Sequence, residues 1–432
     1  MEAVRKEIMP YVALTCIKTE KFKTSTLSVT LLTQLRRDTA ARNAVIPYVL
    51  CRGCTSYPDM EKLSAYLEEL YGARVEPAVR KMGEIQCVGF SADFCEDRYL
   101  PAPAGLLDKV STLLGELLLF PVTRGGLLLP TYVESEREKL IERIDAAMND
   151  KRGYAVRRLL ENMCDCEDYA VDRLGSRAEA EDINHVKLTR HYRELLASSP
   201  LEIFYCGSSS PAEVERAIKL ALAALPRSEP DGELGTDIRM NSVAAEPRVF
   251  TEEMDVLQGK LALGFRLGPC MESPDQAALR VFNAVYGGSV TAKLFTHVRE
   301  RLSLCYYASS AIDRHKGVML VSSGIEFDKY DEAYREILAQ LDAVRRGDVT
   351  PEELEAARKF IASDLRSDMD SPAALENFFL AQTIEGYTYG PMELAALVEL
   401  VTPEQVTRIA EGVECDAVYF LRGLTADEEA GA

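Results

Sequence analysis

The sequence predicts an α+β protein of two homologous domains, each a mostly antiparallel β-sheet packed with helices. Three observations carry that expectation. The two halves share one rhythm of strand-like and helical segments. They also align without a gap: Lys62-Leu63 falls on Lys293-Leu294, and the register holds through a helix and into a strand. Finally, the stretch Pro226 to Pro247 is rich in Pro, Gly, Ser and acidic residues, the composition of a linker. The expected division is residues 1–225, a linker at 226–247, and residues 248–432.

In the first half, the alternating stretch Lys23 to Thr33 reads as a strand. Helical patterns follow at Ala40 to Cys51 and Met60 to Tyr71, then strands at Arg74 to Val79 and Glu84 to Ala92. One long helix is expected from Tyr132 to Asn162, then a strand at Leu201 to Tyr205 and a helix from Pro211 to Ala224. The second half opens with a strand at Gly259 to Leu267, helices at Pro274 to Val285 and Ala292 to Arg301, and strands at Cys305 to Ile312 and Val318 to Gly324. Helices at 329–346, 351–369, 373–385 and 403–412 precede a last strand at Ala417 to Leu421.

Composition narrows the function. With 50 Lys and Arg against 69 Asp and Glu, the net charge is −19, which argues against nucleic acid as a partner. The apolar run near Leu113 to Val122 is broken by Gly115 and Glu116 and is too short to span a bilayer. The charged start, Met1 to Glu7, lacks the apolar region of a secretory signal. Eleven scattered cysteines, an odd number, read as reduced thiols, so a cytoplasmic location is expected. The spacing of Cys51 and Cys54 has no second pair at zinc-ligand distance and reads as incidental. Gly287-Gly288 reads as a tight turn, and Ser208 to Ser210 as the cap of the helix that starts at Pro211.

One segment names a family. Tyr286-Gly-Gly-Ser-Val-Thr-Ala-Lys-Leu-Phe295, followed by Val298-Arg-Glu-Arg-Leu-Ser-Leu-Cys-Tyr306, resembles the G-G-x-S-x-L-F…R-E-x-x-x-L-x-Y stretch of pitrilysin/insulinase peptidases. The order of elements from about residue 20 onward also resembles that family. The resemblance implies the mitochondrial-processing-peptidase-like (LuxS-like metalloenzyme) fold.

That family's chemistry rests on H-x-x-E-H, whose two histidines share one helical face and bind zinc while the Glu activates water. Aligned through Gly53, the ligand positions here are Ala44 and Tyr48 and the base position is Pro47. The downstream ligand position falls on Arg143, with Glu142 one residue away. The four histidines, at 185, 191, 297 and 315, include no pair four residues apart, so no helical His pair exists. No zinc is therefore expected in this chain. The resemblance implies that Arg299 and Tyr306, seven residues apart, are the family's substrate-carbonyl and oxyanion donors. In the first half the equivalent positions are Glu68 and Val75.

The expected function is a non-catalytic subunit of a heterodimeric zinc metallopeptidase. It would bind peptide and lend Arg299 and Tyr306 to the zinc site of a homologous partner. The alternative is a peptide-binding or scaffolding member without a role in catalysis, linked to peptide maturation or translation-factor modification.

Overall fold

The computed structural model describes residues 3–230 and 232–424; Met1 and Glu2 of the charged start, Asp231 of the linker and residues 425–432 lie outside the described residues. Along the chain come β1 (Ala3–Met9), β2 (Val12–Lys18), β3 (Thr24–Gln34), α1 (Ala40–Leu50), α2 (Met60–Glu69), β4 (Arg74–Met82), β5 (Ile85–Cys95) and α3 (Leu106–Leu119). Next are the small hairpin β6 (Thr123–Arg124) and β7 (Leu127–Leu128), then α4 (Pro130–Ala146), α5 (Lys151–Met163), α6 (Arg177–Glu181), α7 (His185–Ser198), β8 (Leu201–Gly207) and α8 (Pro211–Ala221). The second half contains β9 (Arg248–Glu253), β10 (Gly259–Arg266), α9 (Gln276–Asn283), β11 (Cys305–Asp313), β12 (Val318–Ile325) and α10 (Tyr330–Arg345). It ends with α11 (Pro351–Asp368), α12 (Pro372–Glu385), α13 (Pro391–Glu399), α14 (Pro403–Gly412) and β13 (Glu414–Arg422). No helix among the described residues is long and apolar enough to cross a membrane.

The two main sheets have one topology. The first runs β1-β2-β8-β3-β5-β4 and the second runs β9-β13-β10-β12-β11. Apart from the extra strand β1, they match strand for strand. Each has a single parallel pair in the same place, β2 with β8 and β9 with β13, and is otherwise antiparallel. The α+β fold of two similar domains is therefore present in the structure.

Two compact units form, and neither is contiguous in sequence. The first holds residues 1–145, 171–235 and 371–390; the second holds 146–170, 236–370 and 391–432. The chain passes between the units at residues 145/146, 170/171, 235/236, 370/371 and 390/391, so each half of the chain also contributes a helix to the other half's unit. Helix α5 belongs to the second unit and α12 to the first.

In the first unit, period-two alternation decides what each face of β3 meets. Leu27, Val29 and Leu31 join one core with Ala44, Val45 and Val49 of α1, Val110 and Leu114 of α3, and Leu188 of α7. The neighbouring Leu32 faces the other way and packs with Met82, Ile85 and Cys87 against Leu380 and Ala381 of α12. Helix α12 is pinned there by Glu376, which accepts from Ser28 Oγ at 3.1 Å and Arg80 Nη2 at 2.6 Å. The polar edge strand β1 carries Arg5 and Lys6, paired with Glu202 and Glu215. Such charges blunt an exposed sheet edge.

In the second unit, Tyr154, Leu159 and Met163 of α5 pack on Ala262, Tyr419 and Leu421. Gly264 allows this close fit, because a Cβ there would press on the sulfur of Met163. The expected single helix from Tyr132 to Asn162 is in fact two. Asp150 caps α5 by accepting from the backbone N–H groups of Arg152 (3.2 Å) and Gly153 (3.1 Å). The break lies where the chain passes from the first unit to the second.

Behind α5 lies a buried ionic network. The side chains of Arg266 and Lys316 are fully buried. Glu167 accepts from Arg266 Nη2 at 2.6 Å and pairs with Lys316 Nζ at 2.7 Å. Asp416 accepts from Arg266 Nε at 3.0 Å and pairs with Arg248 at 3.3 Å. Burial opposes the charge on Glu167, but hydrogen bonds from Arg266 and Lys316 outweigh it and hold the carboxyl below its usual range.

Arg266→Ala strips the network of its central cation and leaves Glu167 and Asp416 short of a partner. It is expected to cost about 3–5 kcal/mol, read as a lowered urea midpoint. Because the folded-state pKa of Glu167 is depressed, its contribution is complete above the unfolded value of about 4.3. It is lost as pH falls through the folded value. Glu167→Gln is therefore expected to flatten the acid limb of the stability curve.

Candidate functional site

Helix α1 carries Ala44, Pro47 and Tyr48, the residues that the sequence aligns with the two ligands and the base of H-x-x-E-H. Its buried face is held by side-chain hydrogen bonds as well as packing. Asn43 Nδ2 donates to Gln86 Oε1 at 2.9 Å, and Asn43 Oδ1 lies 2.5 Å from His191 Nε2. Gln86 Nε2 in turn donates to the Ala40 carbonyl at 3.0 Å. Burial pushes the His191 imidazole down to about 4, so it is neutral at pH 7 and engaged with Asn43.

The four positions hold chemistry unsuited to a metal. Ala44 is fully buried and presents a methyl group to the core. Pro47 sits inside the helix, where it lacks even a backbone N–H. Tyr48 is half-buried, and the guanidinium of Arg143 from α4 lies over its ring, 3.8 Å from the centroid. Arg143 Nε donates to the Lys139 carbonyl at 3.1 Å, which fixes the plane of the guanidinium. The adjacent Glu142 is exposed. A methyl, a pyrrolidine ring, a covered phenol and a cation do not make a zinc site. Among the described residues, no group of three or more His, Cys, Asp or Glu is placed to hold a metal ion.

Beside Tyr48 opens a pocket of about 230 Å³, lined by Cys51, Met60, Leu63, Leu67, Val75 and Pro77 and by the charged Arg52, Glu136 and Lys139. The Glu136 carboxylate is buried and already paired, 3.3 Å from Arg52 Nη1 and 2.8 Å from Lys139 Nζ. The thiols of the Cys51/Cys54 pair remain protonated. Burial pushes Cys51 up to about 12 and Cys54 up to about 11, and the Cys54 thiol donates to Glu116 at 3.3 Å.

The second unit places the other candidate pair. The segment Ala284–Gly288 is a π-helical turn, and Leu294–Arg301 is a second π-helical stretch. Gly287-Gly288 thus ends a helix and does not make the tight turn that the sequence suggests. Close approach explains the first glycine: a Cβ on Gly287 would press on Leu294 and on the backbone and hydroxyl of Ser310. Short π-helical insertions occur frequently at functional sites.

Arg299 is exposed, with its guanidinium 4.6 Å from the centroid of the Phe295 ring. The chain reverses through Ser303, which has a left-handed φ of 52°, and enters β11. Pairing there skips a residue: Cys305 faces Ile325 and Tyr307 faces Gly324, so Tyr306 occupies a bulge. Bulges re-aim side chains, and Tyr306 is 62% exposed. Its hydroxyl donates to Glu326 at 2.6 Å, and that carboxylate raises the phenol's pKa, so the phenol stays protonated. Arg299 lies near enough to Cys305 to oppose the rise in that thiol's pKa.

Sequence reasoning missed Glu326 and Glu136. The first shows only in the structure, where the bulge at Tyr306 brings its hydroxyl to Glu326, just past the end of β12. No local signal marks Glu136, which is a helical residue like its neighbours until α4 packs over the pocket. Of the serines before α8, Ser210 caps the helix in a reciprocal box with Glu213, whereas the backbone N–H of Ser208 donates to Glu96 and that of Ser209 to the Tyr205 hydroxyl.

The family described as "Peptidase M16 inactive domain" matches residues 182–361. The chain is 32% identical to a Bacillus subtilis (strain 168) protein named "Probable inactive metalloprotease YmfF", over 94% of this chain and 95% of that one. A conserved protein from Enterococcus faecalis V583 superposes with a TM-score of 0.88 at 28% identity, covering 98% of this chain and 99% of that one. A peptidase M16 inactive domain from Pseudomonas fluorescens has the same fold, with a TM-score of 0.79 at 14% identity over 99% of both chains.

The purified chain, incubated with excess zinc and then desalted, is expected to retain well under one zinc per chain by elemental analysis. Arg143→Glu alone is expected to leave that result unchanged, because Ala44 and Tyr48 still supply no imidazole.

Proposed function

We propose, from the premise that this chain belongs to the pitrilysin/insulinase (M16) peptidase family, that it is the non-catalytic subunit of a heterodimeric zinc metallopeptidase. It binds peptide and supplies Arg299 and Tyr306 to the zinc site of a homologous partner that keeps H-x-x-E-H. One asymmetry carries the reading. The zinc positions of the first unit hold Ala44, Pro47, Tyr48 and Arg143, whereas Arg299 and Tyr306 of the second unit stand exposed.

The partner's zinc would polarise the scissile carbonyl and activate water. Arg299 contributes a cation that cannot lose its proton at any physiological pH. Tyr306 contributes an O–H donor, kept protonated by Glu326. Both donors aim at an oxygen that gains negative charge as the peptide bond is attacked, which is where a preorganised donor accelerates the reaction. On binding, Tyr306 would exchange its hydrogen bond to Glu326 for one to substrate. The free thiols at Cys16, Cys51 and nine further positions support a cytoplasmic setting for this role.

A second reading is a peptide-binding or scaffolding member with no part in catalysis. It is favoured by the local partners already present, Phe295 for Arg299 and Glu326 for Tyr306.

Mixing separates the two. Neither chain alone is expected to cleave peptide, and the mixture is expected to be active. Arg299→Ala and Tyr306→Phe are each expected to lower kcat by about 10²–10³. A double variant that supports the wild-type rate refutes the donor role and leaves the scaffolding reading.

A further inference from the structure

The replacement of the zinc ligands leaves a built arrangement in the first unit. Arg143 is fixed twice, by the Tyr48 ring under its plane and by the Lys139 carbonyl at its Nε. Those contacts use one face and one of its five N–H donors. Among the described residues, the two terminal nitrogens donate to no protein acceptor, and no carboxylate pairs with this arginine. A guanidinium locked in place with its terminal nitrogens unengaged is preorganised for a planar anion.

What lies next to it defines the rest of the ligand. Lys139, one turn before Arg143 on α4, and Tyr48 both line the pocket of about 230 Å³. That volume is below the ~300–1,000 Å³ typical of sites for drug-sized ligands, and suits a single side chain. Its walls are apolar, from Leu63, Leu67, Val75 and Pro77. Its one carboxylate, Glu136, is already neutralised by Arg52 and Lys139 and does not repel an incoming anion. In a chain of net charge −19, this corner is locally cationic.

We propose that this corner binds the free C-terminus of a peptide, with its α-carboxylate on the Nη fork of Arg143 and its last, apolar side chain in the pocket beside Tyr48. The inference deepens the peptide-binding part of the proposed function and is independent of catalysis. It makes the former zinc position a reader of chain ends.

The test uses the full-length chain alone, with a fluorescein-labelled hexapeptide ending in leucine, as the free acid and as the C-terminal amide. Binding is followed by fluorescence anisotropy. The acid is expected to bind about tenfold or more tightly than the amide, the loss that follows from removing a charge-assisted pair. Arg143→Ala and Arg143→Gln are expected to abolish that preference, weakening the acid about tenfold and the amide, which keeps a neutral carbonyl acceptor and the pocket contacts, much less. Leu63→Trp, which fills the pocket, is expected to weaken both peptides.

The ratio of acid to amide affinity is the deciding readout, because a misfolded variant would lose the amide as well. Equal affinity for acid and amide in the wild-type chain overturns the proposal. So does an acid preference that survives Arg143→Ala, or no binding of either peptide at millimolar concentration. Displacement of the peptide by decanoate at equal concentration would assign the site to fatty acids and overturn it too. The partner is absent throughout, so a negative result here leaves partner-dependent turnover standing. Conversely, a turnover that ignores Arg299 and Tyr306 leaves this binding result standing.

Discussion

The carboxylate of Glu167 is the point on which the second unit turns. Two fully buried cations, Arg266 of β10 and Lys316 just before β12, meet at it. Neither could be buried without a counter-charge, since an isolated ion in the interior costs several kcal/mol even after relaxation. Asp416 extends the same network to β13, and Arg248 extends it to β9. Three adjacent strands and the segment after α5 are therefore held by one set of charges. The first unit repeats the device more simply, with Glu376 of α12 set between Ser28 and Arg80. In both units the carboxylate comes from the opposite half of the sequence.

Local pattern explains which parts of this fold were legible. Strands β3, β5, β10 and β12 alternate or run apolar between turn residues and were read within two or three residues of their ends. β1 was hidden by its charges and β2 by a continuous buried run with no period. The break before α5 was signalled by Asn149-Asp150, yet amphipathic periodicity on both sides masked it. Most opaque was the exchange of helices between units, because the pairing of Glu167 with Arg266 leaves no mark in either neighbourhood.

The candidate site divides the same way. Ala44, Pro47 and Tyr48 were legible because i, i+3 and i+4 positions share a helical face. Their contact with Arg143 needs α4 laid over α1, which spacing alone cannot supply. The exposure of Tyr306 depends on one skipped residue in a ladder. Gly287-Gly288 looked like a turn because glycine pairs usually mark turns, whereas here the crowding comes from Leu294 and Ser310. Family likeness supplies the frame, and what this chain makes of it lies in residues that no motif includes.

The exchanged helices also constrain how such a chain can change over generations. Two matching sheets in one polypeptide point to a duplicated ancestor, and duplication is ordinarily reversible by deletion. Here a gene truncated in the stretch from Pro226 to Pro247 would encode α5 without the sheet that covers Tyr154, Leu159 and Met163. It would also leave Leu32, Met82 and Ile85 without α12. The trade of helices thus works as a ratchet: either half can lose its chemistry, but neither half can be discarded.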